Sequence, residues 1–139
     1  MGPKMSFEFL IPKRPVSLQV KNRGNLQKWK DFVRNEAAKT WTGTQYDENF
    51  NLHLMLVYLY DANEVALDVD NIIKPIQDAL VGLIYSDDSL ITDVASHRRS
   101  LTGIFDIAKY PNLLVQGILS GDECVYVRIS ESQPLEIYL

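Results

Sequence analysis

A single cysteine, Cys124, leaves this chain of 139 residues with no intrachain disulfide and no cysteine-rich zinc site. Its setting, Glu123-Cys124-Val125-Tyr126-Val127, is that of a buried strand thiol. The two histidines, His53 and His97, lack a second ligand at metal spacing and read as structural or surface residues. The longest apolar run, around Leu52 to Tyr60, falls far short of the roughly 18 residues of a membrane helix and is interrupted by His53. The N-terminus has no apolar core of the secretion-signal kind, so a soluble, cytoplasmic protein is expected. Residues 1–4 before Met5 read as an added leader, with Met5 the natural start. Gly-x-Ser-x-Gly, a phosphate-cradling glycine loop and a Cys-His pairing are all missing, which argues against nucleophilic hydrolases and nucleoside-triphosphate enzymes. There is no internal repeat or low-complexity linker.

What is present suffices for one core. With 46% hydrophobic residues, residues 1–139 are best read as a single domain. The net charge of -4 is unevenly spread: residues 1–40 carry nine Lys and Arg against three acids, a local +6, and the remainder amounts to -10. A basic first third beside an acidic remainder suits a protein that grips phosphates with one surface and holds cations with another, although a solvated helix face explains any single lysine equally well.

The chain reads as α/β, in the α+β sense: a mixed sheet with two main helices packed on it. Phe7–Ile11 forms a first strand, broken by Pro12-Lys13-Arg14-Pro15. Val16–Val20 is extended, and Asn22-Arg23-Gly24-Asn25 is a turn with Asn25 as N-cap. Leu26, Trp29, Val33 and Ala37 recur at helical spacing and predict a helix from Asn25 to about Trp41, with both tryptophans on its apolar side. Phe50–Tyr60, apolar on both faces, is a central strand. Asp68 or Asp70 caps a second helix. Strands follow over Leu90–His97 and Cys124–Ile129. Residues 98–123, punctuated by Pro111 and Gly117, read as a strand and a short helix.

Chemistry concentrates between Leu67 and Asp88. Leu67-Asp68-Val69-Asp70-Asn71-Ile72-Ile73-Lys74, then Asp78, then Ser86-Asp87-Asp88 gather carboxylates and one lysine into an otherwise apolar stretch. Carboxylates held close repel one another unless a proton or cation intervenes, and all-oxygen ligands suit a hard ion such as Mg²⁺. Such a metal activates water and absorbs phosphate charge in phosphodiester cleavage. On the second helix, Ile72, Ile73, Ile76, Ala79, Leu80 and Leu83 share the side that packs on the sheet. Asp70, Asn71, Lys74, Gln77 and Asp78 share the other. Pro75 conflicts with a helix begun at either aspartate. It implies a kink, or a start near Lys74 with Asp68 and Asp70 in an extended lead-in.

The ordered set Asp68-x-Asp70-Asn71-x-x-Lys74, Asp78-Ala79-Leu80 and Asp87-Asp88 resembles the RusA-like Holliday junction resolvases, the match running from Leu67 to about Ile91. The resemblance implies a homodimeric, Mg²⁺-dependent endonuclease, with Mn²⁺ as a substitute, that nicks four-way DNA junctions in pairs during recombination and repair. It implies a bacterial or phage-encoded, nucleoid-associated protein. It makes Asp68, Asp70 and Asp88 the metal-binding catalytic carboxylates and Lys74 the functional lysine; Asn71, Asp78 and Asp87, beside them in the sequence, read as supporting residues. Some relatives carry arginines just before the first aspartate, where this chain has Asp61-Ala62-Asn63-Glu64-Val65-Ala66. Phosphate contacts are therefore expected from Lys13, Arg14, Lys21, Arg23, Arg98 and Arg99. Leu101–Glu123 is longer than a compact family core needs.

Taken one at a time, these aspartates have plainer roles: Asp68 or Asp70 as a helix cap, Asp87-Asp88 as a turn, Asp78 as an i,i+4 partner of Lys74. A magnesium nuclease acting on flaps or other branched DNA, and a DNA-binding scaffold that does not cut, remain as alternatives.

Overall fold

The computed structural model describes residues 6–139, so the leader reading of residues 1–4 lies outside the described residues. Four strands, β1 (Ser6–Ile11), β2 (Leu52–Tyr60), β3 (Ile91–Ser100) and β4 (Cys124–Glu131), form one sheet in the order β1-β4-β2-β3. β4 runs antiparallel to both β1 and β2, whereas β2 and β3 are parallel. A parallel pair needs a crossover connection. Here the crossover carries the aspartate-rich segment and a helix, which makes this a single α+β domain with a mixed sheet.

β2 lies between β4 and β3, as its two-sided apolar pattern predicts, and Leu52, Leu54, Leu56, Tyr58 and Leu59 are all buried. One face of the sheet is covered by α1 (Arg23–Ala38) and α2 (Ile73–Leu80). Leu26, Trp29, Val33 and Ala37 are the buried side of α1, the stripe expected from their spacing. The cap differs from expectation. Asn22, not Asn25, closes the helix start, its Oδ1 accepting from the Asn25 amide at 3.2 Å. Arg34 ties the two helices together, donating to the Val81 carbonyl at 2.7 Å and the Ala79 carbonyl at 3.4 Å, where a cation opposes the negative end of α2.

The third helix, α3 (Asn112–Ser120), is the short helix expected within residues 98–123. It covers part of the other face, where Leu114 joins Leu59, Cys124 and Tyr126. Its approach is close at Gly117: a Cβ there would lie 3.1 Å from both Cys124 Sγ and Leu10 Cδ1. The strand expected within residues 98–123 is instead the end of β3, which runs on to Ser100 and is followed by a short 3-10 turn at Ile107–Lys109. Val16–Val20 is not extended throughout; a turn forms at its centre, with the Val20 amide donating to the Ser17 carbonyl at 3.1 Å.

Neither Asp68 nor Asp70 caps α2. The helix begins at Ile73 behind Ile72, which offers no side-chain cap, and Pro75 falls in the first turn. An amide there has no intrahelical partner to lose, so proline is tolerated without a kink. The lead-in is turned rather than extended, with the Asn71 amide donating to the Asp68 carbonyl at 3.2 Å and the Ile73 amide to the Asp70 carbonyl at 3.4 Å. Because Pro75 has no N–H to offer, the Asn71 carbonyl is left for the Leu18 amide at 3.0 Å. The proline thereby helps dock the N-terminal basic loop against the carboxylate loop. Leu83, expected on the helix, lies in the turn after it and still packs on the core.

Candidate active site

Strand β3 holds the loop that carries the first two aspartates. Ser96 and Arg98, two residues apart, project from one face of the strand, paired with Leu56 and Tyr58 of β2. The Ser96 hydroxyl donates to the Val69 carbonyl at 2.8 Å, and Arg98 donates to the Leu67 carbonyl at 3.0 Å. The Arg98 guanidinium also approaches the exposed Asp68 carboxylate at 3.6 Å. Asp70 is exposed, and its carboxylate makes no hydrogen bond or ion pair among the described residues.

Lys74 is the hub of the other half. From the first turn of α2 its ammonium contacts both Asp88, on the short turn Asp88–Leu90 before β3, and Asp78, at 2.8 Å one turn along the helix. Asp78 in turn lies 3.7 Å from Lys30 of α1. The Asp78 and Asp88 hydrogen bonds hold the Lys74 ammonium protonated, pushing its pKa up to about 12. The reciprocal bond from Lys74, helped by Asp87, holds the Asp88 carboxyl below the usual carboxylate range. Asp87 also caps its turn, accepting from the Ser89 amide at 3.1 Å, the plainer role its position suggested. Behind the site, the Tyr85 hydroxyl donates to the Gln77 carbonyl at 2.6 Å, and burial pushes the phenol pKa upward.

Of the residues singled out from the sequence, Lys74, Asp78 and Asp88 are in direct contact, and Asp68, Asp70 and Asn71 share the adjoining turn. Among the described residues no group of three or more His, Cys, Asp or Glu is set to hold a metal ion. The donor chemistry nonetheless fits magnesium, since Asp68, Asp70 and Asp88 offer only hard oxygens and Asp70 has no counter-charge. The two histidines take no part: His53 is buried and stacks on Tyr138 with ring centroids 5.5 Å apart, and burial lowers its pKa.

The basic candidates divide. Residues 13–23 lie against the carboxylate loop through the Leu18–Asn71 bond, and Arg23 braces that bond by donating to the Leu18 carbonyl at 3.3 Å. Lys13 sits over the Phe32 ring at 5.0 Å, and Lys21 is exposed. The Arg14 guanidinium is engaged: it meets both Glu123 carboxylate oxygens at 3.1 Å and the Val65 carbonyl at 2.5 Å. Arg99 pairs in register with Leu59, which packs towards α3, so it points away from the face that carries Arg98 and the aspartates.

Sequence reasoning missed four residues here: Ser96, Glu123, Lys30 and Arg34. Two-residue alternation places Ser96 beside Arg98 once β3 extends to Ser100. Glu123 had no local signal, since its partner Arg14 is 109 residues away.

An α+β domain that crosses from one parallel strand to the next through a carboxylate loop, with a lysine at the following helix start, defines a carboxylate and lysine centre fit for phosphodiester chemistry. The chain belongs to the RusA endodeoxyribonuclease family, whose model matches residues 13–105. The match takes in both helices of the active face, the carboxylate loop and β3, and ends before α3 and β4. No curated protein matches the chain. As a family member it is a nuclease that acts on branched DNA junctions.

Proposed function

We propose that this protein is a Mg²⁺-dependent endodeoxyribonuclease that resolves four-way DNA junctions by paired symmetric nicks in recombination and repair. It acts as a homodimer in the cytoplasm of a bacterium or phage-infected cell. The observation that carries this reading is the Lys74 ammonium seated between Asp78 and Asp88, next to the turn bearing Asp68 and Asp70. Asp68, Asp70 and Asp88 would hold the metal, Mg²⁺ or Mn²⁺, which when bound activates water and neutralises charge on the phosphate. Lys74, fully protonated at neutral pH, places an N–H donor and a positive charge on a non-bridging phosphate oxygen as charge develops there. Arg98 and the 13–23 loop hold the flanking phosphates. A four-way junction has approximate two-fold symmetry, so a C2 dimer with one site per subunit reaches opposing strands.

The test is cleavage of an end-labelled synthetic four-way junction with and without Mg²⁺, beside linear duplex and flap controls and an Asp70→Asn variant. Symmetric, metal-dependent nicks lost in the variant support resolution. Cleavage confined to flaps would replace it with a flap nuclease, and tight binding without cutting in any metal would replace it with a scaffold.

A further inference from the structure

Beside the carboxylate loop, the 13–20 loop and Leu67 line an open, mainly apolar surface hollow of about 520 Å³, within the roughly 300–1,000 Å³ range of small-molecule sites. Pro15, Val16, Val20 and Leu67 supply its apolar surface, and Lys13 and Arg14 flank it. Its walls are held at both ends. Arg14 anchors one through Glu123 and the Val65 carbonyl, and the Leu18–Asn71 and Arg23–Leu18 bonds anchor the other. Leu67 ties the hollow directly to the reacting centre, since it precedes Asp68 in the chain and its carbonyl is held by Arg98.

An apolar recess with Lys13 at its edge and Lys21 next to Val20 in the chain has the complementarity of a nucleoside: the faces of a base are apolar, and the phosphates on either side are anionic. We propose that the hollow receives one unstacked nucleobase from the branch point of the DNA, with its flanking phosphates against Lys13 and Lys21. Bases already unpaired or poorly stacked leave the helix at the lowest cost. Occupancy of the hollow would therefore favour a branch over continuous duplex and would set which phosphodiester faces Asp68 and Asp70. This inference rests on the junction-nuclease reading and specifies how its site selects substrate.

The test uses full-length protein in EDTA, so that no strand is cut, and four-way junctions carrying 2-aminopurine at each branch-point nucleotide in turn. Binding should raise the fluorescence at one symmetry-related pair of positions. Val16→Ser and Val20→Ser, each checked for unchanged thermal unfolding, should abolish that rise and weaken junction binding by roughly fourfold, with duplex binding unchanged. Normal junction binding with no responsive position, or a rise that persists in both variants, overturns the base pocket while leaving the nuclease reading intact. Equal weakening on junction and duplex also overturns it, by making the hollow a general contact. Absence of junction binding altogether overturns both.

Discussion

Lys74, at the start of α2, contacts the Asp88 carboxylate on the turn that leads into β3, so one ion pair joins the two chain segments of the candidate active site. The ammonium pKa is raised from 10.5 to about 12 and that of the carboxyl is lowered from 3.8. The signs fix a pH window. The lysine's stabilising contribution is complete below its unfolded value and is lost as pH rises through about 12. The aspartate's is complete above its unfolded value and is lost as pH falls through its depressed folded value. Throughout neutral pH both groups are charged and the contact persists. Lys74→Met should move the Asp88 carboxyl titration, followed by carbon NMR, up towards the ordinary carboxylate range. Junction cleavage should fall by about 100-fold, the usual scale for removing one transition-state donor. An Asp88 titration left where it was would refute the coupling.

Glu123, on the connection that leads into β4, anchors the basic loop. Its carboxylate accepts from Arg14 and from the Asp61 amide at 2.9 Å, with the Tyr58 hydroxyl at 3.4 Å. Removing it leaves the Asp61 amide without its acceptor and the half-buried Arg14 guanidinium with only the Val65 carbonyl. Glu123→Ala should therefore cost about 1–2 kcal/mol, measured by urea unfolding; the open side of Arg14 is screened by solvent, which keeps the loss at that level. The same variant frees the 13–20 loop, so junction binding should weaken while duplex melting controls stay unchanged. A variant as stable as the parent would show that the clamp is dispensable.

The parts legible in the sequence were those governed by local periodicity. The Leu26, Trp29, Val33 and Ala37 stripe and the two-sided apolar run of β2 each encode their own burial, and the ordered aspartates with Lys74 carried the family. Within residues 98–123 the short helix was legible but its placement was not, because α3 is apolar on most sides and gets its orientation from the close approach at Gly117. Of the two readings that Pro75 allowed, the helix takes the start near Lys74, at Ile73, and only the aspartate cap and the extended form of the lead-in fail. The Arg14–Glu123 and Ser96–Val69 contacts join segments distant in sequence, and periodicity carries no information about such pairs.

Gly117 is required for space rather than for backbone freedom. Any Cβ there stands 3.1 Å from Cys124 Sγ and Leu10 Cδ1 and 3.5 Å from Leu59 Cδ1. These neighbours are side chains packed in the second core, so a large substituent must displace α3. Gly117→Val should destabilise the protein by about 1–3 kcal/mol through overpacking and the lower helix propensity of a β-branched residue. It should also raise the reactivity of Cys124, whose thiol is buried and whose pKa burial pushes up to about 11. Alkylation rates in native buffer check both, and a Cys124 as inert as in the parent would mean that α3 has not moved.

Ser96 supplies a single hydrogen bond, to the Val69 carbonyl between Asp68 and Asp70. Ser96→Ala deletes that donor with little change of volume, and the net cost of one such bond is about 1 kcal/mol. The loop keeps its Arg98 and Leu18 contacts, so the fold survives and the loss falls on the placement of two carboxylates. Cleavage should drop by about fivefold, the rate equivalent of that energy, at saturating junction and with binding affinity unchanged. Ser96→Thr, which retains the hydroxyl, should recover most of the rate. Equal rates for Ala, Thr and the parent would show that β3 does not position the aspartates through this bond, and Arg98 would then be the remaining tether of the loop to the strand.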